Sequence, residues 1–168
     1  MKCGECEAIE TRKHLIYEDS IVAAVLSSKP AVAGALEVFP KEHHPILEKV
    51  PDDVIGKMFA VANKLAAACF EVLGAEGTNI VIKNGLAAGQ VTSHMKLHVL
   101  PRTENDGLNL QWQSSKANEE ELNTTQLMLK EQLEKETAEK APEKEEQKKE
   151  QEEISEESYL LKQLERIP

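Results

Sequence analysis

The stretch from Gly89 to Arg102 constrains the chain most, because its residues alternate between two kinds of side chain. Read with the two-residue period of an extended strand, one mostly apolar face holds Val91, Ser93, Met95, Leu97 and Val99. The other face holds Thr92, His94, Lys96 and His98. Two imidazoles and an ammonium group then follow one another at about 7 Å. A strand that only packs has no use for this row, whereas a site for phosphate or metal does.

The charge of the chain is unevenly distributed. Its 168 residues carry a formal net charge of −10, with the acidic residues concentrated after Asn118. No basic pattern typical of duplex binding is present. No apolar run reaches the roughly 18 residues of a membrane span, and no signal-peptide pattern occurs. We therefore expect a cytoplasmic protein that binds neither nucleic acid nor membrane.

The three cysteines fall into two groups, and the first group lies in Cys3-Gly4-Glu5-Cys6, which is predicted to open the chain as a tight knuckle. Because the cytoplasm is reducing, Cys3 and Cys6 are better suited to bind metal or form a redox pair than to form a structural disulfide. Cys69 lies in an apolar helical pattern and is predicted to be an inert core thiol.

Apolar segments bounded by turn residues predict an α+β domain. The predicted strands are Leu15–Tyr17, Ile21–Leu26, Ala35–Phe39, Thr78–Ile82 and the stretch from Gly89. One long helix is predicted to begin near Pro51-Asp52-Asp53 and to end at Gly74, with apolar residues at three- and four-residue spacing.

The sequence after the domain predicts a charged, helical C-terminal extension. We assign 1–114 to the domain, 115–135 to a helix that packs on it, and 136–157 to a charged linker or solvated helix. Residues 158–168 form a short amphipathic segment that is predicted to dock on the domain, a dimer mate or another protein. A frayed tail with incidental leucines is the alternative.

Three motifs occur in order along the chain: Cys3/Cys6, Pro40-Lys41-Glu42-His43, and Gly89-Gln90 through Arg102. Together with the strands and the long helix, they resemble the histidine triad (HIT) family of nucleotide hydrolases and transferases, from Cys3 to about Trp112. The resemblance implies a HIT-like fold with a five-stranded antiparallel sheet. It also implies a homodimer with the long helices at the interface.

The family motif His-φ-His-φ-His-φ-φ is altered at its centre, where this chain has Lys96 between His94 and His98. The resemblance implies that this position carries the nucleophile, which holds the nucleotide as a phosphoramidate, and that His98 orients it. A protonated lysine has no lone pair for attack. We therefore expect hydrolysis to be absent or strongly weakened.

Other pocket positions also depart from the pattern that the resemblance implies. Ser27 stands for a ribose-binding aspartate, Ala35 for a histidine, Lys83 for an asparagine and Val91 for a phosphate-binding serine. The implied catalytic positions are Lys96 and His98. The implied nucleotide- or phosphate-binding positions are Ser27, Lys83, Gln90, Val91, Lys96 and His98.

A structural zinc site is implied by the N-terminal Cys-x-x-Cys. The resemblance maps its ligands to Cys3, Cys6, His43 and His94. Two thiolates and two imidazoles form a closed tetrahedral site with no open position for catalysis. A redox dithiol and an unliganded knuckle are the alternatives, and His44 competes with His43.

Three functions follow as hypotheses. The first is a non-catalytic zinc protein that binds a purine nucleotide or another phosphate ligand, with positive charge from Lys83 and Lys96. The second is a working hydrolase of nucleoside phosphoramidates or dinucleoside polyphosphates, or a nucleotidyl transferase, which requires a lowered pKa at Lys96. The third is a dimeric protein-interaction adaptor that uses the acidic tail.

Overall fold

The computed structural model describes residues 3–137. Its strands are β1 (Leu15–Glu18), β2 (Val22–Leu26), β3 (Leu36–Pro40), β4 (Gly77–Ile82) and β5 (Leu97–Arg102). They form an antiparallel sheet in the order β1-β2-β3-β5-β4. Within residues 3–110 the helices are α1 (Gly4–Thr11) and α2 (Asp52–Leu73), and single 3-10 turns span Leu47–Lys49 and Leu86–Ala88. This architecture confirms the predicted α+β fold.

Helix α2 begins and ends where the sequence predicts. Pro51 is its N-cap residue, and Asp52 and Asp53 place negative charge in the first turn, where the helix dipole favours it. Gly74 follows the helix with φ 65°, a left-handed conformation that glycine adopts without a Cβ clash.

The sheet and α2 enclose the main core. Alternate residues of three neighbouring strands pack against the apolar face of the helix. The strands contribute Val22, Ala24, Leu36, Val38, Leu97 and Val99. The helix contributes Met58, Val61, Ala62, Ala66 and Cys69. Cys69 is 3% exposed, in the core position that its pattern predicts.

The other face of the sheet carries α1 and a set of polar side chains. Ala8 and Ile9 of α1 pack against a buried cluster of Ala23, Val25 and Phe39. Alternation along β3 and β5 brings Glu37 and His98 to this same face, where they are opposite each other in the strand register. The fold therefore leaves a polar region beside the short N-terminal helix.

Two local predictions differ from the structure. The last strand begins at Leu97 instead of Gly89, and Val91 is 90% exposed instead of core-facing. The side chain of Gln90 holds this segment as a loop, since its amide donates to the carbonyls of Pro45 (2.6 Å) and Thr92 (2.8 Å). The predicted knuckle at Cys3-Cys6 is the beginning of α1.

The chain divides after Leu110 into two units. In the second unit a helix spans 119–137, and Oδ1 of Asn118 accepts a hydrogen bond from the backbone N–H of Glu120 at 3.0 Å. The packing of this helix on the domain stays a prediction. Beyond 137, the charged segment and the docking segment 158–168 lie outside the described residues. None of the helices within 3–137 has the length and apolarity needed to cross a membrane.

Candidate functional site

Four potential metal ligands meet at the beginning of α1. Cys3 and Cys6 come from the N-cap and first turn, His43 follows β3, and His94 precedes β5. One donor atom from each residue lies within 4.8 Å of the other three. Residues far apart in sequence are thus gathered into one compact cluster, as the resemblance implied.

Three sulfur–nitrogen distances in this cluster fit a tetrahedral ion. A sulfur and a nitrogen ligand of one zinc ion lie about 3.5 Å apart, given typical bond lengths and tetrahedral angles. Nδ1 of His94 lies 3.2 Å from Sγ of Cys3 and 3.6 Å from Sγ of Cys6. Nδ1 of His43 lies 3.7 Å from Sγ of Cys6. The donor set therefore suits a metal that accepts two thiolates and two imidazoles.

The environment of His94 prepares it for ligation. Its side chain is fully buried, and Nε2 lies 2.9 Å from the carbonyl oxygen of Pro40, so an Nε2–H donor leaves Nδ1 free to coordinate. Burial lowers the pKa of His94, which favours the neutral imidazole that a metal requires. Burial raises the pKa of Cys3 to about 11, so a cation would be needed to hold this thiol as thiolate.

His44 is placed differently from His43. It is not part of the four-residue cluster, and its Nε2 lies 3.7 Å from Oε2 of Glu42. Its backbone carbonyl accepts a hydrogen bond from the N–H of Met95 at 2.7 Å. Between the two histidines, the geometry therefore favours His43 as a ligand.

A cleft of about 670 Å³ opens beside this cluster, and His94 lines both. The residues predicted to bind a nucleotide or phosphate also line it: Ser27, Lys83, Gln90, Val91, Lys96 and His98. Their side chains differ in availability. The Gln90 amide is engaged in loop contacts, and Val91 offers no hydrogen-bonding side chain to a ligand.

Lys96 at the floor of the cleft is held between two carboxylates. Its Nζ donates to Oε1 of Glu5 at 2.8 Å and to Oε2 of Glu37 at 2.9 Å. Burial lowers the pKa of Lys96, but these two hydrogen bonds raise it more, so the pKa lies above its usual value. The lowered pKa that a nucleotidylated Lys96 requires is therefore not found.

Glu5 is the most buried of these charged groups, with 6% of its surface exposed. Besides Lys96, Oε1 accepts the hydroxyl of Thr92 at 3.0 Å, and Oε2 accepts the thiol of Cys3 at 3.2 Å. Burial raises the pKa of Glu5, but the hydrogen bonds from Lys96 and Cys3 lower it to about 2. Glu5 therefore connects the metal-ligand cluster to Lys96.

Glu37 completes the polar floor. Its Oε1 accepts the hydroxyl of Ser27 at 2.8 Å and lies 4.0 Å from Nδ1 of His98. Burial lowers the pKa of His98, so its neutral form is favoured. The sequence-based site omits both Glu5 and Glu37. Two features of the sequence could have indicated them: Glu5 is an acidic residue inside the Cys-x-x-Cys motif, and Glu37 is the single charged residue of β3.

Known proteins resemble this chain in sequence and fold. The model of the HIT domain matches residues 8–105. An adenylylsulfatase from Arabidopsis thaliana is 34% identical over 93 residues, which cover 55% of this chain and 47% of that protein. An uncharacterized HIT-like protein from Methanocaldococcus jannaschii is 36% identical over 107 residues, 62% of this chain and 82% of the relative.

A solved relative carries the same fold. The crystal structure of a Zn-bound histidine triad family protein from Mycobacterium smegmatis matches with a TM-score of 0.61 at 34% identity, covering 68% of this chain and 85% of that one. The chain spans about half the length of the Arabidopsis relative. The family model matches more than half of the residues, in the domain that contains both the cluster and the cleft. The chain belongs to the histidine triad (HIT) family.

Proposed function

We propose that this chain is a zinc-containing HIT protein whose nucleotide hydrolysis is lost or strongly weakened, and that it acts as a binding module. The main support for this proposal is the environment of Lys96. This residue occupies the implied nucleophile position, and its ammonium group lies between the carboxylates of Glu5 and Glu37. Because its pKa is raised, its amine is protonated near neutral pH and has no lone pair to attack phosphorus.

The charges at the floor of the cleft also oppose the reaction. Two carboxylates flank one ammonium group, so these three residues together carry a negative charge when ionised. A phosphate that approaches Lys96 closely meets both carboxylates, and like charges repel strongly at short distance in a partly buried site. The same floor therefore disfavours phosphate where the family would react with it.

The cleft still offers room and positive charge nearer its rim. Lys83 and Lys29 are both exposed and both line the cleft. We propose that a purine nucleotide or another anion binds there, with its phosphate near the exposed lysines instead of Lys96. Ammonium groups of this kind bind phosphate as point charges.

Zinc is the metal we propose for the four-residue cluster. Its preferred ligands and distances match Cys3, Cys6, His43 and His94, and a solved relative is described as zinc-bound. With four protein ligands the ion would be structural, since no position stays open for a substrate. Its requirement for reduced thiols fits a cytoplasmic location.

A homodimer is a further part of this proposal. Helix α2 exposes Phe59 (43%) and Phe70 (45%), which share a helix face because eleven residues make about three turns. Leu73 adds to the apolar surface at the end of the helix, 49% exposed. We propose that a second copy of the chain covers this face.

The alternative function is nucleotide hydrolysis or nucleotidyl transfer, which the similarity to an adenylylsulfatase favours. Steady-state assays separate the two functions. The full chain is loaded with zinc, its metal content is measured by mass spectrometry, and release of AMP is followed from adenosine phosphoramidate, adenylyl sulfate and diadenosine tetraphosphate. We expect one zinc per chain, AMP binding by calorimetry, and no AMP release above the buffer rate. Sustained release would establish the alternative.

A further inference from the structure

Lys96 contacts the short segment that carries both cysteines of the cluster. Glu5, its partner at 2.8 Å, lies between Cys3 and Cys6 at the beginning of α1. Its other partner, Glu37, lies on β3 in the sheet. One ammonium group thus bridges the N-terminal segment and the body of the domain.

We propose that Lys96 is a positioning residue of the metal centre, where it ties the Cys3–Cys6 turn to the sheet so that both thiols face His43 and His94. This inference rests on the zinc site proposed above. It gives Lys96 a function that replaces nucleophilic attack: the ammonium group that cannot react holds the ligand-bearing turn in place.

Glu5 supplies the charged contacts between the first turn of α1 and the rest of the domain, and the thiols of Cys3 and Cys6 supply further polar contacts. In the second half of the helix, Ala8 and Ile9 pack against the buried cluster that contains Phe39. The N-cap residue Cys3 makes no side-chain capping hydrogen bond. Glu5, in contrast, accepts hydrogen bonds from Lys96 and Thr92, which lie about ninety residues away in sequence.

Thr92 strengthens this geometry because it lies two residues before His94. Its hydroxyl donates to Oε1 of Glu5 at 3.0 Å, the same oxygen that Lys96 contacts. The loop that carries a proposed imidazole ligand therefore binds the segment that carries the thiol ligands. Lys96 follows in the same loop and supplies the positive charge for the carboxylate.

Loss of Lys96 should therefore disturb the arrangement of the four potential metal ligands. The side chain of Glu5 is 6% exposed and that of Lys96 is 15% exposed, so removing the ammonium leaves a carboxylate poorly solvated. An unpaired buried charge is strongly unfavourable. Movement of the first turn into solvent relieves it, and that movement takes Cys3 and Cys6 away from the two imidazoles.

The test measures zinc affinity of the full chain by competition with a chromogenic chelator. Loss of a side chain that orients a metal ligand typically weakens metal affinity about 10- to 100-fold. We expect Lys96→Met to weaken zinc binding at least about tenfold, in that range, and Lys96→Arg to retain most of the affinity because its guanidinium can pair with both carboxylates. In a Glu5→Gln background, Lys96→Met should have little further effect, since the two residues act through one contact.

Lys57→Met is the matched control. This variant also loses an ion pair, the one between Lys57 and Asp19 at 3.1 Å. Lys57 lies on α2, outside the four-residue cluster. We expect its zinc affinity to equal that of the wild type. As an independent readout, the thiols of the zinc-loaded Lys96→Met chain should be alkylated faster than those of the wild type and of Lys57→Met.

The outcomes separate this inference from the proposed zinc site. If the wild-type chain binds no zinc, the zinc site itself is wrong. If the wild type binds zinc and Lys96→Met binds it equally or more tightly, the positioning role is overturned. If Lys96→Met does not fold, Glu37→Gln replaces it, because it removes only the sheet-side carboxylate. A weaker zinc affinity in that variant supports the role, and an unchanged affinity overturns it.

Discussion

Nζ of Lys96 lies 2.9 Å from Oε2 of Glu37, although the two residues are 59 positions apart in sequence. The antiparallel pairing of β3 with β5 produces this contact, since it sets Glu37 opposite His98 and close to the loop that precedes β5. The residue at the implied nucleophile position therefore forms an ion pair with a carboxylate of the sheet. Its neighbours are adapted to an ammonium group.

A single reversion should not restore hydrolysis. In Lys96→His, an imidazole replaces the ammonium but still faces Glu5 and Glu37, whose charges then repel an incoming phosphate. Val91 and Ala35 remain without the polar groups that the family resemblance implies at those positions. We expect AMP release to stay within about tenfold of the uncatalysed rate, measured by chromatography with Lys96→Met as the control. An active Lys96→His chain would show that the rest of the pocket is intact.

The two neighbouring histidines should differ sharply in metal binding. His43→Ala removes a donor atom of the cluster, whereas His44→Ala removes a side chain that faces Glu42. We expect His43→Ala to lose at least about tenfold in zinc affinity and His44→Ala to match the wild type, by chelator competition. Equal losses in the two variants would contradict this assignment of ligands.

Charge on the exposed face of α2 should prevent self-association. Phe70 is 45% exposed in the described chain, and a dimer interface there would bury its ring. Phe70→Glu places a carboxylate in that apolar contact, so light scattering coupled to size exclusion should give a monomer. Leu86→Glu is the control, because Leu86 is 91% exposed but lies outside α2. A wild-type monomer, or a Phe70→Glu dimer, would rule out this interface.

Acid should weaken the turn between β1 and β2 through Asp19. Burial raises the pKa of this carboxyl, but hydrogen bonds from the backbone N–H groups of Val22 and Ile21, and from Tyr17 and Lys57, lower it more, to below its usual range. Because the pKa is lower in the folded chain, the stabilisation is present above the unfolded value of about 3.9 and is lost as the pH falls through the folded pKa.

Asp19→Asn tests this pH dependence. We expect the variant to be about 1 kcal/mol less stable than the wild type at pH 7, a modest value because the site is partly exposed. The difference should shrink below about pH 4. Urea unfolding at both pH values measures it, and comparison in the same buffer cancels any acid release of metal that both chains share. A difference that is constant with pH would contradict the role of the Asp19 charge.

Local patterns predicted most of the fold. The spacing of apolar residues and the flanking Pro51 and Gly74 determine α2, and alternation determines the strands that pack on it. Alternation failed before Leu97, because the contacts of Gln90 and a hydrogen bond from the N–H of Met95 to the carbonyl of His44 hold that segment outside the sheet. Period two in a sequence cannot reveal such competing contacts.

The candidate site was predicted only in part for a similar reason. The family resemblance implied the four residues that cluster as potential metal ligands, but Glu5 and Glu37 meet Lys96 across 91 and 59 residues. Only the strand register and the placement of α1 bring these charges together. The sequence alone does not reveal these two carboxylates and so predicts that Lys96 is available to bind phosphate. In the structure its ammonium group is already paired with Glu5 and Glu37.

Intact-mass spectrometry of the zinc-loaded full chain tests the loss of chemistry most directly. The chain is incubated in separate samples with ATP and adenosine phosphoramidate, quenched within seconds and after an hour, and digested to locate any adduct. We predict no adenylyl group on Lys96 or His98 at either time, because the protonated amine of Lys96 has no lone pair to form one. An adenylylated Lys96, formed in the wild type and absent in Lys96→Met, would contradict the account.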